Sequence, residues 1–341
     1  MTNRRKRWIL ITSIILLVIA GLIAGYFFEP RLSREEQNKV SIQNKNVSVF
    51  KDITYMEGLP NSQLDVIMPK HVSADEQLPV IFWAHGGGFI AGDKQYKNPL
   101  LAQFVERGYV VVNVNYALAP EYQYPTPLIQ MDNAVRFIKA HEQELPINLD
   151  EVIIGGDSAG AQINSQFTAI QTNPQLRADM GFEQQFKPEQ LKAAIFFGGF
   201  YDMKTVRSTE FPRINLFMRS YLGVKKWEMS SKNIAEMSTE NQITKDFPST
   251  FLSVGDDDPF MSQNESFAHA LEEKGVSVDR FFFDGTHHLK HQYQFHLNKP
   301  ESKKNIQKVL SFLSRNTTGT QVGTDNKDTD HTEINLNPYD N

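Results

Sequence analysis

Apolar positions along this chain alternate between short continuous runs and longer stretches in which they recur every three or four residues. The first spacing predicts buried strands and the second predicts helices with one face inward. The strand-like segments are Val47 to Tyr55, Gln63 to Met68, Leu78 to Ala84, Tyr109 to Val114, Glu151 to Ile154, Ala193 to Phe197, Thr250 to Val254 and Val278 to Phe283. Gly58-Leu59-Pro60-Asn61 separates the first two as a turn, which predicts an opening hairpin. Helical spacing fills the gaps. It covers Leu100 to Val105, Pro127 to Glu144, Ala161 to Phe167, Met261 to Lys274 and residues 302 to 315. Tyr109 to Val114 is a valine-rich β-branched run interrupted only by Asn113, as expected of a parallel strand covered on both faces. Such alternation over residues 47 to 315 predicts an α/β domain with a doubly wound, mostly parallel sheet.

Three stretches break this rhythm. From Trp8 to Phe28 the chain is almost wholly apolar, after Arg4, Arg5, Lys6 and Arg7. About 20 helical residues span the ~30 Å bilayer core, so residues 1 to 30 read as a cytoplasmic basic segment and one transmembrane signal anchor. A single-pass cell-membrane protein is expected, with residues 31 to 46 as a linker and the body outside the cytoplasm. Residues 201 to 247 carry Phe211, Phe217, Met218, Tyr221, Leu222 and Trp227 without a strand rhythm, and predict a helical cap inserted between strands. Residues 316 to 341 are rich in Thr, Asp and Asn with almost no apolar content, and predict a disordered tail.

Composition narrows the function. The 341 residues carry a formal net charge of −5, and no basic cluster in the body suggests a nucleic-acid surface. The absence of cysteine removes a thiol nucleophile, a thiolate metal site and a disulfide framework.

Candidate chemistry centres on Gly155-Gly156-Asp157-Ser158-Ala159-Gly160, placed between a predicted strand and a predicted helix. That is the setting of a G-x-S-x-G nucleophile elbow, where a serine in a tight turn needs neighbours without bulk. Its Oγ then leaves the sheet, and the N–H of Ala159 faces the same space. His85-Gly86-Gly87-Gly88-Phe89 follows another strand and exposes backbone N–H groups suited to an oxyanion. His85 is expected to hold this loop by hydrogen bonds. An acid is sought among Asp256, Asp257 and Asp258, after the strand ending at Val254, and a base in Thr286-His287-His288, after the last strand. His287 and His291 have metal-ligand spacing on a helix, but no carboxylate motif accompanies them and no metal is expected.

His85-Gly-Gly-Gly-Phe89, Tyr116-Ala-Leu-Ala-Pro-Glu121, Gly156-Asp-Ser-Ala-Gly160 and Asp258-Pro-Phe260 together resemble the hormone-sensitive-lipase-like family of α/β-hydrolase esterases. The resemblance covers roughly residues 47 to 313. It implies an α/β-hydrolase fold, hydrolysis of carboxylic esters and no cofactor. It also implies that Gly87 and Gly88 join Ala159 in the oxyanion hole. Ala117 departs from the arginine usual in the family. The family places its acid immediately before a proline, which selects Asp258, with Asp256 second. Counting from Gly285 along the family's Gly-x-x-His pattern selects His288 as base, although Leu289 replaces a glycine and His287 stays in reserve. The order Ser158, Asp258, His288 is that of α/β-hydrolases. The expectation is a serine carboxylesterase acting on small short- to medium-chain esters. An amidase or peptidase on the same fold, or a non-catalytic surface-binding protein, is the alternative.

Overall fold

The computed structural model describes residues 46–73 and 75–318, and the backbone of Thr329 and Asp330. The expected anchor at residues 1 to 30 and nearly all of the linker therefore lie outside the described residues. So does the polar tail beyond residue 318, apart from Thr329–Asp330, which pairs antiparallel with His71–Val72. Among the described residues no helix is long and apolar enough to cross a membrane.

The strands are β1 (Val47–Thr54), β2 (Gln63–Pro69), β3 (His71–Val72), β4 (Leu78–Ala84), β5 (Val110–Val114), β6 (Ile147–Asp157), β7 (Leu191–Phe197), β8 (Ser249–Val254) and β9 (Val278–Phe282). All but β3 join one eight-stranded sheet in the order β1-β2-β5-β4-β6-β7-β8-β9. The expected hairpin is present: β1 and β2 are antiparallel, and β2 also pairs antiparallel with β5. From β5 to β9 every neighbouring pair is parallel.

The helices are α1 (Asn98–Val105), α2 (Thr126–Ala140), α3 (Ala159–Thr172), α4 (Pro174–Met180), α5 (Ile214–Leu222), α6 (Ser231–Met237), α7 (Met261–Glu273) and α8 (Pro300–Asn316). The central strands are mostly apolar and buried because both sheet faces are covered. Successive side chains of a strand point to opposite faces. In β4, Val80, Phe82 and Ala84 join one core with residues of α2, α3 and α7. Ile81 and Trp83 join a second core with Leu100, Leu101 and Phe104 of α1 and Val309, Phe312 and Leu313 of α8.

The break in rhythm after β7 becomes α5 and α6 with short 3₁₀ turns between and around them. Ile214, Met218, Tyr221, Leu222 and Trp227 of this insertion are buried, which accounts for most of its large side chains as packing. The parallel strands share one direction, so the loops that follow β4, β6, β8 and β9 emerge at one edge of the sheet. Every candidate functional residue lies on those loops.

Candidate active site

The site is built around the turn between β6 and α3. Ser158 has φ 52° and ψ −117°, outside the regions a side chain ordinarily occupies. Its neighbours permit this because they lack side chains. A Cβ on Gly156 would lie 2.6 Å from the Gly160 carbonyl carbon, and one on Gly160 would lie 2.1 Å from the Ala84 carbonyl oxygen. The glycines thus let helix α3, the end of β4 and the turn approach to backbone contact. The consequence is a hydroxyl lifted off the sheet at the start of a helix, with the Ala159 N–H beside it.

His291 lies against that hydroxyl. Its Nε2 is 2.9 Å from Ser158 Oγ, and its Nδ1 is 2.8 Å from Asp258 Oδ2. The Asp258 side chain is 1% exposed and that of His291 20%. Asp258 Oδ1 accepts the Phe260 N–H at 3.0 Å, which fixes the carboxylate plane. The imidazole is bounded edge-on by Phe211, with ring centres 4.8 Å apart, and by Phe260, at 5.5 Å. Phe211 and Phe260 are themselves stacked at 4.2 Å. A serine, a histidine and a buried carboxylate are therefore joined in series, the arrangement that allows Nε2 to take a proton while Nδ1–H stays paired.

The loop after β4 faces this group. Gly87 and Gly88 have φ of 136° and 61°, conformations open to glycine. A Cβ on Gly88 would sit 2.8 Å from the ring of Phe217 in α5, so α5 reaches this loop. Among the described residues, no protein acceptor meets the N–H groups of Gly87, Gly88 or Ala159. His85 turns away from Ser158: its Nδ1 pairs with the Gly86 carbonyl at 2.8 Å, and its ring stacks on Tyr116 at 4.3 Å. The Tyr116 hydroxyl donates to the His85 carbonyl at 2.7 Å. Burial pushes the His85 imidazole down to about 4, so it is neutral at ordinary pH and Nδ1–H is the donor to Gly86.

Residues 64–274, more than half of the chain, match the BD-FAE family. The chain belongs to that family of α/β-hydrolase carboxylesterases. It is 26% identical over 231 residues to carboxylesterase NlhH of Mycobacterium tuberculosis, covering 65% of this chain and 69% of NlhH. To esterase LipQ of the same organism it is 23% identical over 230 residues, 67% of this chain, and it spans about half (53%) of LipQ. Its fold matches that of esterase B from Lactobacillus rhamnosis with a TM-score of 0.69 at 17% identity, over 89% of this chain and 96% of that one.

Within this carboxylesterase the structure brings Asp258 to Ser158 through His291, with Ala159 following Ser158 in the chain. It sets the loop that carries Gly87 and Gly88 against the same turn, where a Cβ on Gly86 would lie 3.0 Å from Ser158 Cβ, with His85 behind the loop. It does not bring His288 to them. His288 has φ 54°, its side chain is 75% exposed, and its Nδ1 lies 3.3 Å from an Asp257 oxygen. The structure therefore sets His291, and not the expected His288, against Ser158 and Asp258. The reason is the loop after β9. Asp256 accepts the N–H groups of His287 at 2.8 Å, His288 at 3.2 Å and Leu289 at 2.7 Å. Partial burial pushes the Asp256 carboxyl up, but these N–H groups, together with its own backbone N–H, outweigh that and hold it below its ordinary value. Leu289 is buried, and its carbonyl packs so closely on Gly255 that a Cβ there would be 2.1 Å away. Leu289 takes the inward place, His287 and His288 stay outside, and the chain next points inward at His291. Counting from Gly285 fails because this loop anchors on an apolar residue where the family's pattern has a glycine.

Asp256 is thus a loop holder, and Asp258 sits at the imidazole. His287 lies beside Asp284, with Nδ1 3.4 Å from Oδ1. The ligand atoms of Asp256, Asp284 and His287 fall within 4.8 Å of one another, an approach already explained by the hydrogen bonds of Asp256 to the loop. His291 faces Ser158 and Asp258, so it does not form a pair with His287.

Two further residues went unassigned from sequence, Asp157 and Lys97. Asp157 is fully buried and accepts from Trp83 Nε1 at 3.1 Å and from the Gly86 N–H at 3.0 Å. Lys97 reaches it with Nζ at 2.7 Å. The aspartate within Gly156-Asp157-Ser158 was a signal in plain view, whereas nothing in the sequence singles out Lys97.

Proposed function

We propose that this protein is a serine carboxylesterase in which Ser158, His291 and Asp258 act in series. The observation carrying this is the pair of distances on one imidazole, 2.9 Å to Ser158 Oγ and 2.8 Å to Asp258 Oδ2. Ser158 Oγ attacks the ester carbonyl carbon as His291 Nε2 takes its proton. Asp258 holds the Nδ1–H tautomer and stabilises the imidazolium. The carbonyl oxygen becomes an oxyanion that accepts from the N–H groups of Gly87, Gly88 and Ala159. Collapse breaks the ester C–O bond, and the alcohol leaves with the proton from Nε2. A water molecule, deprotonated by the same nitrogen, then attacks the acyl-enzyme and releases the carboxylic acid.

The substrate reading rests on the cap. Phe217 of α5 stands over Gly88, and Phe211 and Phe260 flank His291, so aromatic side chains border both the glycine loop and the imidazole. Such a surround favours short to medium acyl chains over charged or bulky polar groups. The test is a series of p-nitrophenyl esters of graded acyl length, with Ser158→Ala as control. Turnover that peaks at short to medium chains and vanishes in Ser158→Ala supports the reading. Undiminished turnover in Ser158→Ala overturns it.

The place of action is a further proposal, supported by sequence alone. The run from Trp8 to Phe28 behind Arg4, Arg5, Lys6 and Arg7 would anchor the chain with its catalytic domain outside the cytoplasm. Retention of the full chain in alkali-washed membranes, with the domain open to external protease, is the expected result. Release into the soluble fraction would contradict it.

A further inference from the structure

We propose that Lys97 is a positioning residue for the oxyanion loop, acting through Asp157. The inference rests on the serine-esterase reading above. Lys97 immediately precedes α1, and its ammonium is 2.7 Å from Asp157 Oδ2. The same carboxylate oxygen accepts the Gly86 N–H at 3.0 Å, one residue before Gly87 and two before Gly88. The contact is close enough that a Cβ on Gly86 would lie 2.5 Å from Asp157 Oδ2 and 3.0 Å from Ser158 Cβ. Asp157 thus joins the loop that supplies two oxyanion donors to the turn that supplies the nucleophile.

Lys97 also reaches the third part of the site. Its ammonium lies 3.9 Å from the centre of the Phe295 ring, a cation–π contact four residues beyond His291. Phe295 meets Phe197 edge to face at 6.4 Å, and the Phe197 carbonyl accepts the Ser158 N–H at 2.8 Å. One cation therefore touches the carboxylate that holds the oxyanion loop and the ring that follows the histidine segment. Its side chain is 14% exposed and that of Asp157 is 0% exposed. A carboxylate so deeply buried is costly once its counter-charge is removed, and it must then move toward water. That movement weakens its hold on Gly86. The loop donors then shift relative to the oxyanion, while the surfaces that bind the ester in its ground state stay in place.

Lys97→Met in the full chain is compared with the wild type on p-nitrophenyl butyrate, and on inactivation by an organophosphonate that leaves a tetrahedral adduct on Ser158. A slightly misplaced donor set is expected to lower kcat by about 10- to 100-fold with KM little changed. The phosphonate inactivation rate should fall in step with kcat. Lys97→Arg, which keeps the charge, should recover part of the loss. In the double variant with Asp157→Asn, turnover should be no lower than in the worse single variant, because the two residues act as one unit. If Lys97→Met does not fold, Asp157→Asn alone, nearly identical in shape, carries the same kcat and phosphonate expectation. A lowered melting temperature with unchanged kcat would show a purely structural ion pair and overturn the proposal, as would a rise in KM alone. Turnover surviving Ser158→Ala would instead overturn the esterase reading, so the two failures are distinct.

Discussion

His85 lies beside the reacting groups yet serves as a fixed, uncharged support, and its environment makes that role testable. Its imidazole titrates at about 4 in the folded chain, against 6.5 when unperturbed, because burial disfavours the charged form. The unfolded chain therefore binds the extra proton first as pH falls. The stability tied to neutral His85 is complete above about pH 6.5 and is lost progressively toward pH 4. The shift corresponds to about 3 kcal/mol at most. Denaturant unfolding at pH 7.5 and 4.5 should show a smaller drop for His85→Gln than for the wild type, even though the variant starts lower. Equal drops would show that His85 is not buried in neutral form. Asp258 has a different task, accepting from Nδ1–H of His291 at 2.8 Å. Asp258→Asn should cost roughly 10⁴ in kcat, as when a histidine loses the partner of its Nδ1–H. Asp256→Asn should act through the loop and cost far less, and a reversed ranking would contradict the assignment. At this scale the sequence reveals the serine, the glycines and the aspartate before proline, since each is bound to a local turn. The histidine is not legible. Which of His287, His288 and His291 points inward depends on Leu289 packing against Gly255, a contact between two loops.

The elements show the same division. The elbow is readable because Gly156 and Gly160 serve contacts with neighbouring backbone. Gly160→Ala would place a methyl 2.1 Å from the Ala84 carbonyl oxygen, and soluble expression or activity should be lost. The cap is readable as helical and apolar, but its pattern does not say which large side chains face the substrate. Trp227 is fully buried and its Nε1 lies 3.4 Å from Asn215 Oδ1, so it packs the cap. Trp227→Ala should cost about 3–5 kcal/mol of stability. Phe217 is only partly buried and stands over Gly88. Phe217→Ala should move the preferred acyl length while leaving the melting temperature nearly unchanged. A large fall in melting temperature with the same acyl preference would place Phe217 with Trp227.

Across the whole molecule the sheet is legible because the central strands carry apolar residues on both faces, which leaves few arrangements besides a parallel sheet between helices. Its order is less so: β4 lies between β5 and β6, and sequence proximity alone gives no reason to separate β5 from β6. That order places the loop after β4 beside the end of β6, so Gly87 and Gly88 come to face Ser158. The loops after β8 and β9 then bring Asp258 and His291 from the other side. In the proposed mechanism Ser158, His291 and Asp258 act in series and His288 stands outside them. The direct measurement is acylation of Ser158 by p-nitrophenyl butyrate, read as p-nitrophenol release in His291→Ala and His288→Ala side by side. His291→Ala should lose nearly all turnover while His288→Ala keeps most of it. An inactive His288→Ala beside an active His291→Ala would contradict the account.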